Sequence, residues 1–347
     1  MIVGGIPMLL GGGVAQSNYL FTSNEATPFI SAYAWSAAGF GTKFANPATL
    51  PSSAYGIALS ANSAQIAVST SGTPYVFAYP WSSSGFGTKF SNPAALPTGG
   101  GFGIAFSPAG TALAVGHDTS LFISAYAWSS SGFGAKFSDP ATLPGDRGVA
   151  VAFSPAGTQI AVGTNVDPFI YVYPWSGSGF GTKFSNPATL PTGGGNGVAF
   201  SPTGNALAVG DSASPYILVY PWSGSGFGTK FADPATLPTG VGRGATFSPD
   251  GNQLAVSHSV SPFISVYPWS GSGFGTKFAN PATLPLGTGT TSAFTVDGSA
   301  IAITFRTTSP YLHVYAWSPA GFGTKFTDPA TAPGGPGGSG TGVVFGS

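Results

Sequence analysis

Charged side chains make up only 6% of this 347-residue chain, so every residue that could do acid–base or ligand chemistry can be placed by name. The histidines are His117, His258 and His313, and the arginines are Arg147, Arg243 and Arg306. A metal centre needs converging His, Cys, Asp or Glu ligands. Cysteine is absent, and only His117 and Asp118 are adjacent, where two neighbours on one loop make a poor ligand pair. A Ser/His/Asp set needs a nucleophile that stands out from its background, and here serine is everywhere and histidine scarce. Glycine-rich loops such as residues 193–195 follow strand-like runs but open no helix, so they form no phosphate cradle. His313 sits inside the run YLHVY and reads as a buried histidine. On this reading the chain has no catalytic residue, no metal and no cofactor, and is not an enzyme.

The same residues sort differently when placed on the turns of the chain. Glu25, His117, Asp118, Asp146, Arg147, Asp167, Asp211, Arg243, His258 and Arg306 all fall in one class of loop. They form a candidate binding face on loops that a rigid scaffold would hold. The opposite turns are uniform and carry the lysines.

The scaffold is announced by repetition. Trp35, Trp81, Trp128, Trp175, Trp222, Trp269 and Trp317 are spaced 46 to 48 residues apart, and the seven lysines keep the same beat. A period of this size means a propeller, a solenoid or an array. One unit holds four short apolar runs, GVAFSP, ALAVG, YILVYPW and FGTKFADPATLP, each followed by a turn. No run has a helical period. Four antiparallel strands per unit predict an all-β, seven-bladed β-propeller. The fourth run, residues 227–238, is expected to be the outer edge, guarded by an Asx-Pro step and the lysine. Gly 54 and Pro 31 fall at repeated offsets and read as turns.

Closure is legible at the ends. The final TGVVFGS matches the first run of a unit, NGVAFSP, and residues 18–35 align without gaps to residues 205–222. The C-terminal strand is therefore expected to complete the N-terminal blade. This assigns residues 17–347 to the propeller and leaves 1–16 as an arm. The arm is apolar at Ile2, Val3, Ile6, Met8, Leu9 and Leu10, and is expected to dock on a neighbouring subunit. Gly4, Gly5 and Pro7 interrupt it, and it is well short of the ~20 apolar residues of a membrane span. It also lacks the positive n-region of a signal peptide. Ten basic and ten acidic residues leave no net field to attract nucleic acid.

The phrase VAFSPxGxxLAV, at residues 151–162 and 198–209, resembles the strand-turn-strand core of WD-repeat-like and YVTN-type propellers. The longer VYPWSGSGFGTKFxxPATLPTG is similar to tandem repeats in proteins of tailed phages and environmental sequences. The tryptophan is followed by Ser where a WD repeat has Asp, and no Gly-His recurs. The resemblance implies a structural or adhesive part of an extracellular assembly, a phage virion or tail-fibre component first. A self-assembling extracellular filament linked by the arm is the alternative, and a lectin-like propeller binding cell-surface glycan another. The expected partners are copies of itself or other virion or surface proteins, at an extracellular or virion surface. A lactonase-type propeller enzyme is the rival, expected to show carboxylate ligands around a channel.

Overall fold

The computed structural model describes residues 17–347. They form seven four-stranded antiparallel sheets, six of them meanders of sequence-adjacent strands and one completed by a strand from the C-terminal end, so the chain is a seven-bladed β-propeller. In the fifth blade the order from the axis outward is Gly195–Phe200, Ala206–Asp211, Ile217–Ser223 and Gly226–Phe227. The blade made from both ends has the order Gly340–Gly346, Tyr19–Asn24, Ile30–Ser36 and Gly39–Lys43. Leu20 pairs with Phe345 and Phe21 with Val344, so the C-terminal strand is its innermost member. The assembly arm expected at Ile2, Val3, Ile6, Met8, Leu9 and Leu10 lies outside the described residues.

The strands are apolar on both faces because each blade is sandwiched between two others. Every tryptophan is buried and staples two blades. Trp222 meets Phe227 and Phe200 of its own blade at centroid distances of 4.9 and 5.7 Å, and Phe184 of the preceding blade at 5.2 Å. These edge-to-face contacts add about 0.5–1.5 kcal/mol each beyond area burial. A sugar therefore has no tryptophan face to stack on. The tyrosine two residues earlier makes the matching polar link. The Tyr220 hydroxyl donates to the Thr189 carbonyl of the preceding blade at 2.9 Å, and Tyr79, Tyr173, Tyr267 and Tyr315 repeat the pattern.

The outer strands are shorter than expected. Residues 227–238 do not pair as one strand; only Gly226–Phe227 does. The length follows one residue on the third strand. Where that residue is Ala34, Ala127 or Ala316, the outer strand runs five residues, as in Gly39–Lys43, Gly132–Lys136 and Gly321–Lys325. Where it is Pro80, Pro174, Pro221 or Pro268, the strand stops after two. Proline has no N–H to give the ladder. Its carbonyl still accepts one bond, as from Gly228 N to Pro221 O at 2.8 Å.

The innermost strands crowd the axis. A Cβ at Gly103 would lie 2.7 Å from the Ala150 Cα, and one at Gly197 2.8 Å from the Gly244 Cα. Such small residues let neighbouring inner strands close around a narrow channel, whose mouth is lined by the residues just before them.

Candidate functional site: the axial mouth

The residue preceding each of these close approaches sits at the mouth of the channel. Tyr55, Phe102, Val149, Asn196, Arg243, Thr290 and Thr341 line one cavity there, together with Arg306. Its volume is ≈ 110 Å³. The first six are spaced 47 residues apart, so they are one position of the repeat with six different occupants.

The ring has two halves. Tyr55, Phe102 and Val149 belong to three consecutive blades and make an apolar sector. The Tyr55 and Phe102 rings stack at 5.1 Å with 23° between planes. Arg147 lies over Phe102, its guanidinium 5.6 Å from the ring centroid. With the Asn165 amide turned to present its oxygen, Arg147 also donates to it from Nε at 2.7 Å. The other half is polar, but much of its capacity is already used. The Thr290 hydroxyl donates to the Gly340 carbonyl at 2.6 Å, and the Thr341 hydroxyl to the Ala54 carbonyl at 2.7 Å. Asn196 gives its Nδ2 to the Gly242 carbonyl at 3.0 Å.

Two guanidiniums remain. Arg306 Nη2 is 3.2 Å from Glu25 Oε1, its partner across the closing seam. Arg243 has no ion pair among the described residues, and its buried Nε has no acceptor there. Burial, and after it the neighbouring charge of Arg306, holds the Arg243 guanidinium below its usual range. A half-buried cation without an anion beside a second cation makes a positive, partly dehydrated pocket. Such a pocket favours a carboxylate or a phosphate, which guanidinium binds in a planar fork.

The other residues of the expected face are placed elsewhere. His117, Asp211 and His258 share one position, the last residue of their second strands, and are fully buried. They brace the turn that follows. Asp211 accepts from the Thr192 and Ala213 backbone N–H at 2.8 and 2.9 Å. His117 and His258 each place Nε2 3.1 Å from a serine hydroxyl, Ser124 and Ser265. Burial lowers both histidines below their usual range, His258 to about 4, and burial raises the Asp211 carboxyl. Asp118 and Asp167 are exposed and Asp146 is half-buried, and none of the three lines the mouth. Of the ten, the structure brings Glu25, Arg243 and Arg306 together, with Arg147 alongside.

Sorting by charge missed Tyr55, Phe102, Val149, Asn196, Thr290 and Thr341. For all of these but Thr341, the signal was present in the constant spacing of 47 with changing residue type. Away from the mouth, each lysine is engaged within its own blade. Lys43 Nζ donates to Asn46 Oδ1 at 2.7 Å, and Lys136, Lys230 and Lys325 pair with Asp139, Asp233 and Asp328. His313 is buried as expected and lies against Phe305. Among the described residues, no three His, Asp or Glu side chains converge as a metal site would require.

No family model matches the sequence, and no curated protein matches it. Solved structures do match. A periplasmic gluconolactonase of Pseudomonas aeruginosa aligns over 95% of this chain and 99% of that chain, with TM-score 0.68 and 17% identity. A putative 6-phosphogluconolactonase of Bacteroides fragilis aligns over 97% and 100%, with TM-score 0.70 and 11% identity. A functionally unknown protein of Desulfotomaculum acetoxidans aligns over 95% and 99%, with TM-score 0.67 and 14% identity. At such identities the likeness shows the fold, and it carries no WD-repeat or phage kinship. The expectation of a non-enzymatic phage part, adhesive filament or glycan-binding module is corrected by these neighbours, among which the proteins named for an activity include lactonases. That expectation looked for catalysis in metal-ligand, Ser/His/Asp and glycine-loop sets, whereas the mouth combines two arginines with aromatic rings. The chain shares its fold, over nearly its whole length, with solved structures that include a gluconolactonase and a putative 6-phosphogluconolactonase.

Proposed function

We propose that this propeller is a small-molecule hydrolase that opens an anionic cyclic ester at the axial mouth. One observation carries the reading: Arg243 is half-buried in the mouth, beside Arg306, with no acceptor for its Nε among the described residues. Support comes from the shared architecture with proteins named as gluconolactonases. In this reading Arg243 binds the substrate's negative group. Arg306 turns its positive charge to the ester carbonyl, where an oxyanion develops when water adds. Preorganised positive groups in a water-poor site favour that transition state. Glu25, already in contact with Arg306, takes the proton of the attacking water. The tetrahedral carbon then expels the ring oxygen, which receives that proton. One water enters, one C–O bond breaks, and a hydroxy acid leaves with no other reactant.

The test is proton release from a panel of lactones, glucono-δ-lactone and its 6-phosphate included, against Glu25→Gln. Wild type should open at least one lactone well above the buffer rate, and Glu25→Gln should lose about 10²-fold, the lower end for a general base. No enzyme-dependent opening of any lactone would overturn the reading.

A further inference from the structure

Resting on the assignment of the axial mouth as the ligand site, we propose that its ligand is an amphiphilic monoanion, a carboxylate on an aromatic or alkyl body, rather than a polyhydroxylated sugar acid. The division of the ring carries this. Tyr55, Phe102 and Val149 form one continuous apolar arc, opposite Arg243 and Arg306. A ligand that satisfies both halves at once has a charged head and a body that gains by leaving water.

A sugar acid would need something else. Each of its hydroxyls loses water on entry and must regain a partner, and an unpaired buried hydroxyl is costly. The apolar half of the mouth has little to offer it. In the polar half, the Thr290 and Thr341 hydroxyls donate to backbone carbonyls, and Asn196 Nδ2 is held by Gly242 O. The Glu25 carboxylate is paired with Arg306. The guanidiniums themselves only donate. Along the apolar arc a sugar hydroxyl would meet only the Tyr55 hydroxyl, since Phe102 and Val149 carry no polar side-chain atom, whereas a carboxylate finds two groups that only donate. On the apolar side, the stacked Tyr55–Phe102 pair offers π surface that a flat ring can extend. Arg147 over Phe102 strengthens the electrostatic definition of that arc.

The probes are two carboxylate monoanions, 3-phenylpropionate and gluconate, titrated calorimetrically into the intact protein. Melting curves confirm that each variant is folded. The proposal predicts that 3-phenylpropionate binds at least about 10-fold more tightly than gluconate. Arg243→Gln should weaken it about 10-fold or more, as loss of a charge-assisted bond does. Phe102→Ala should weaken 3-phenylpropionate by about 10-fold, the scale of a lost ring stack, and any gluconate binding by clearly less. If gluconate binds as tightly or better and depends on Arg243, the amphiphilic ligand is wrong while the mouth remains the site. If neither anion binds, or binding ignores Arg243→Gln, the mouth is not the anion site and both readings fall.

Discussion

Arg243 occupies the position that Thr290 fills in the next blade and Asn196 in the one before, so the repeat tests one residue in many contexts. The same comparison works in the interior. The Tyr220 hydroxyl reaches the Thr189 carbonyl, but the equivalent Tyr126 hydroxyl is buried without a partner among the described residues. Losing a made hydrogen bond costs about 1 kcal/mol, whereas removing an unmet hydroxyl relieves its desolvation. Tyr220→Phe should therefore destabilise by about 1 kcal/mol, and Tyr126→Phe should be neutral or stabilising, as read by chemical denaturation. His258 gives a pH dependence. Its folded value is about 4, below the ordinary value, because burial disfavours the charged form. As pH falls through about 6.5 the unfolded chain takes a proton that the folded chain refuses. Stability is complete above that pH and declines until the folded histidine also titrates near 4. The loss attributable to His258 is about 1–3 kcal/mol. Thermal melts from about pH 7 to 4.5 should fall less steeply in His258→Thr. That substitution copies Thr70 and Thr164 of sister blades, whose hydroxyls bond their own turns. An unchanged slope would show that His258 does not set the acid sensitivity. Of these residues, the sequence made the buried His313 readable, since YLHVY is a strand. It hid the burial of His117 and His258, which end their strands and so look like loop residues.

At the scale of elements, the third strand governs the fourth. Ala at residues 34, 127 and 316 goes with a five-residue outer strand, and Pro at 80, 174, 221 and 268 with a two-residue one. Pro221→Ala should restore the pairing of residue 220 with Lys230 that Tyr33 makes with Lys43 in the N-terminal blade. Amide exchange over residues 228–230 should slow by about 10-fold, equivalent to about 1.4 kcal/mol for a restored ladder segment. Exchange left unchanged would show that proline is not what ends the strand. The inner three strands of each blade were legible because their apolar runs end at turn residues. The outer strand was overread because its proline was sought on the strand itself, in the Asx-Pro step. The residue that matters lies one strand inward, and no local pattern reports a cross-strand donor.

For the whole molecule, seven near-identical blades supply the ring, and closure depends on Gly340–Gly346, with Val343, Val344 and Phe345 buried against its neighbours. Deleting residues 340–347 removes the inner strand of one blade and the wall it offers the next. The melting temperature should fall by roughly 10 °C or more, since several buried apolar side chains are lost at ~1.5–3 kcal/mol each. An unshifted melt would mean the ring closes otherwise. Blade number and closure could be read from the sequence because the repeat is regular and its ends are complementary in register. The mouth could not be read by sorting charges, because it is defined by position around an axis and most of its lining is uncharged. Arg243 is where scaffold and chemistry meet, placed by the 47-residue spacing and held with Arg306 at a cavity whose lining changes from blade to blade. The most direct test of the hydrolase reading is kcat/KM for the best lactone substrate in Arg243→Gln beside Lys230→Gln. The expected result is a loss of about 10–10²-fold for Arg243→Gln, as for a charge-assisted bond of about 1.5–3 kcal/mol, and no change for Lys230→Gln. Equal rates in wild type and Arg243→Gln, with both folded, would contradict it.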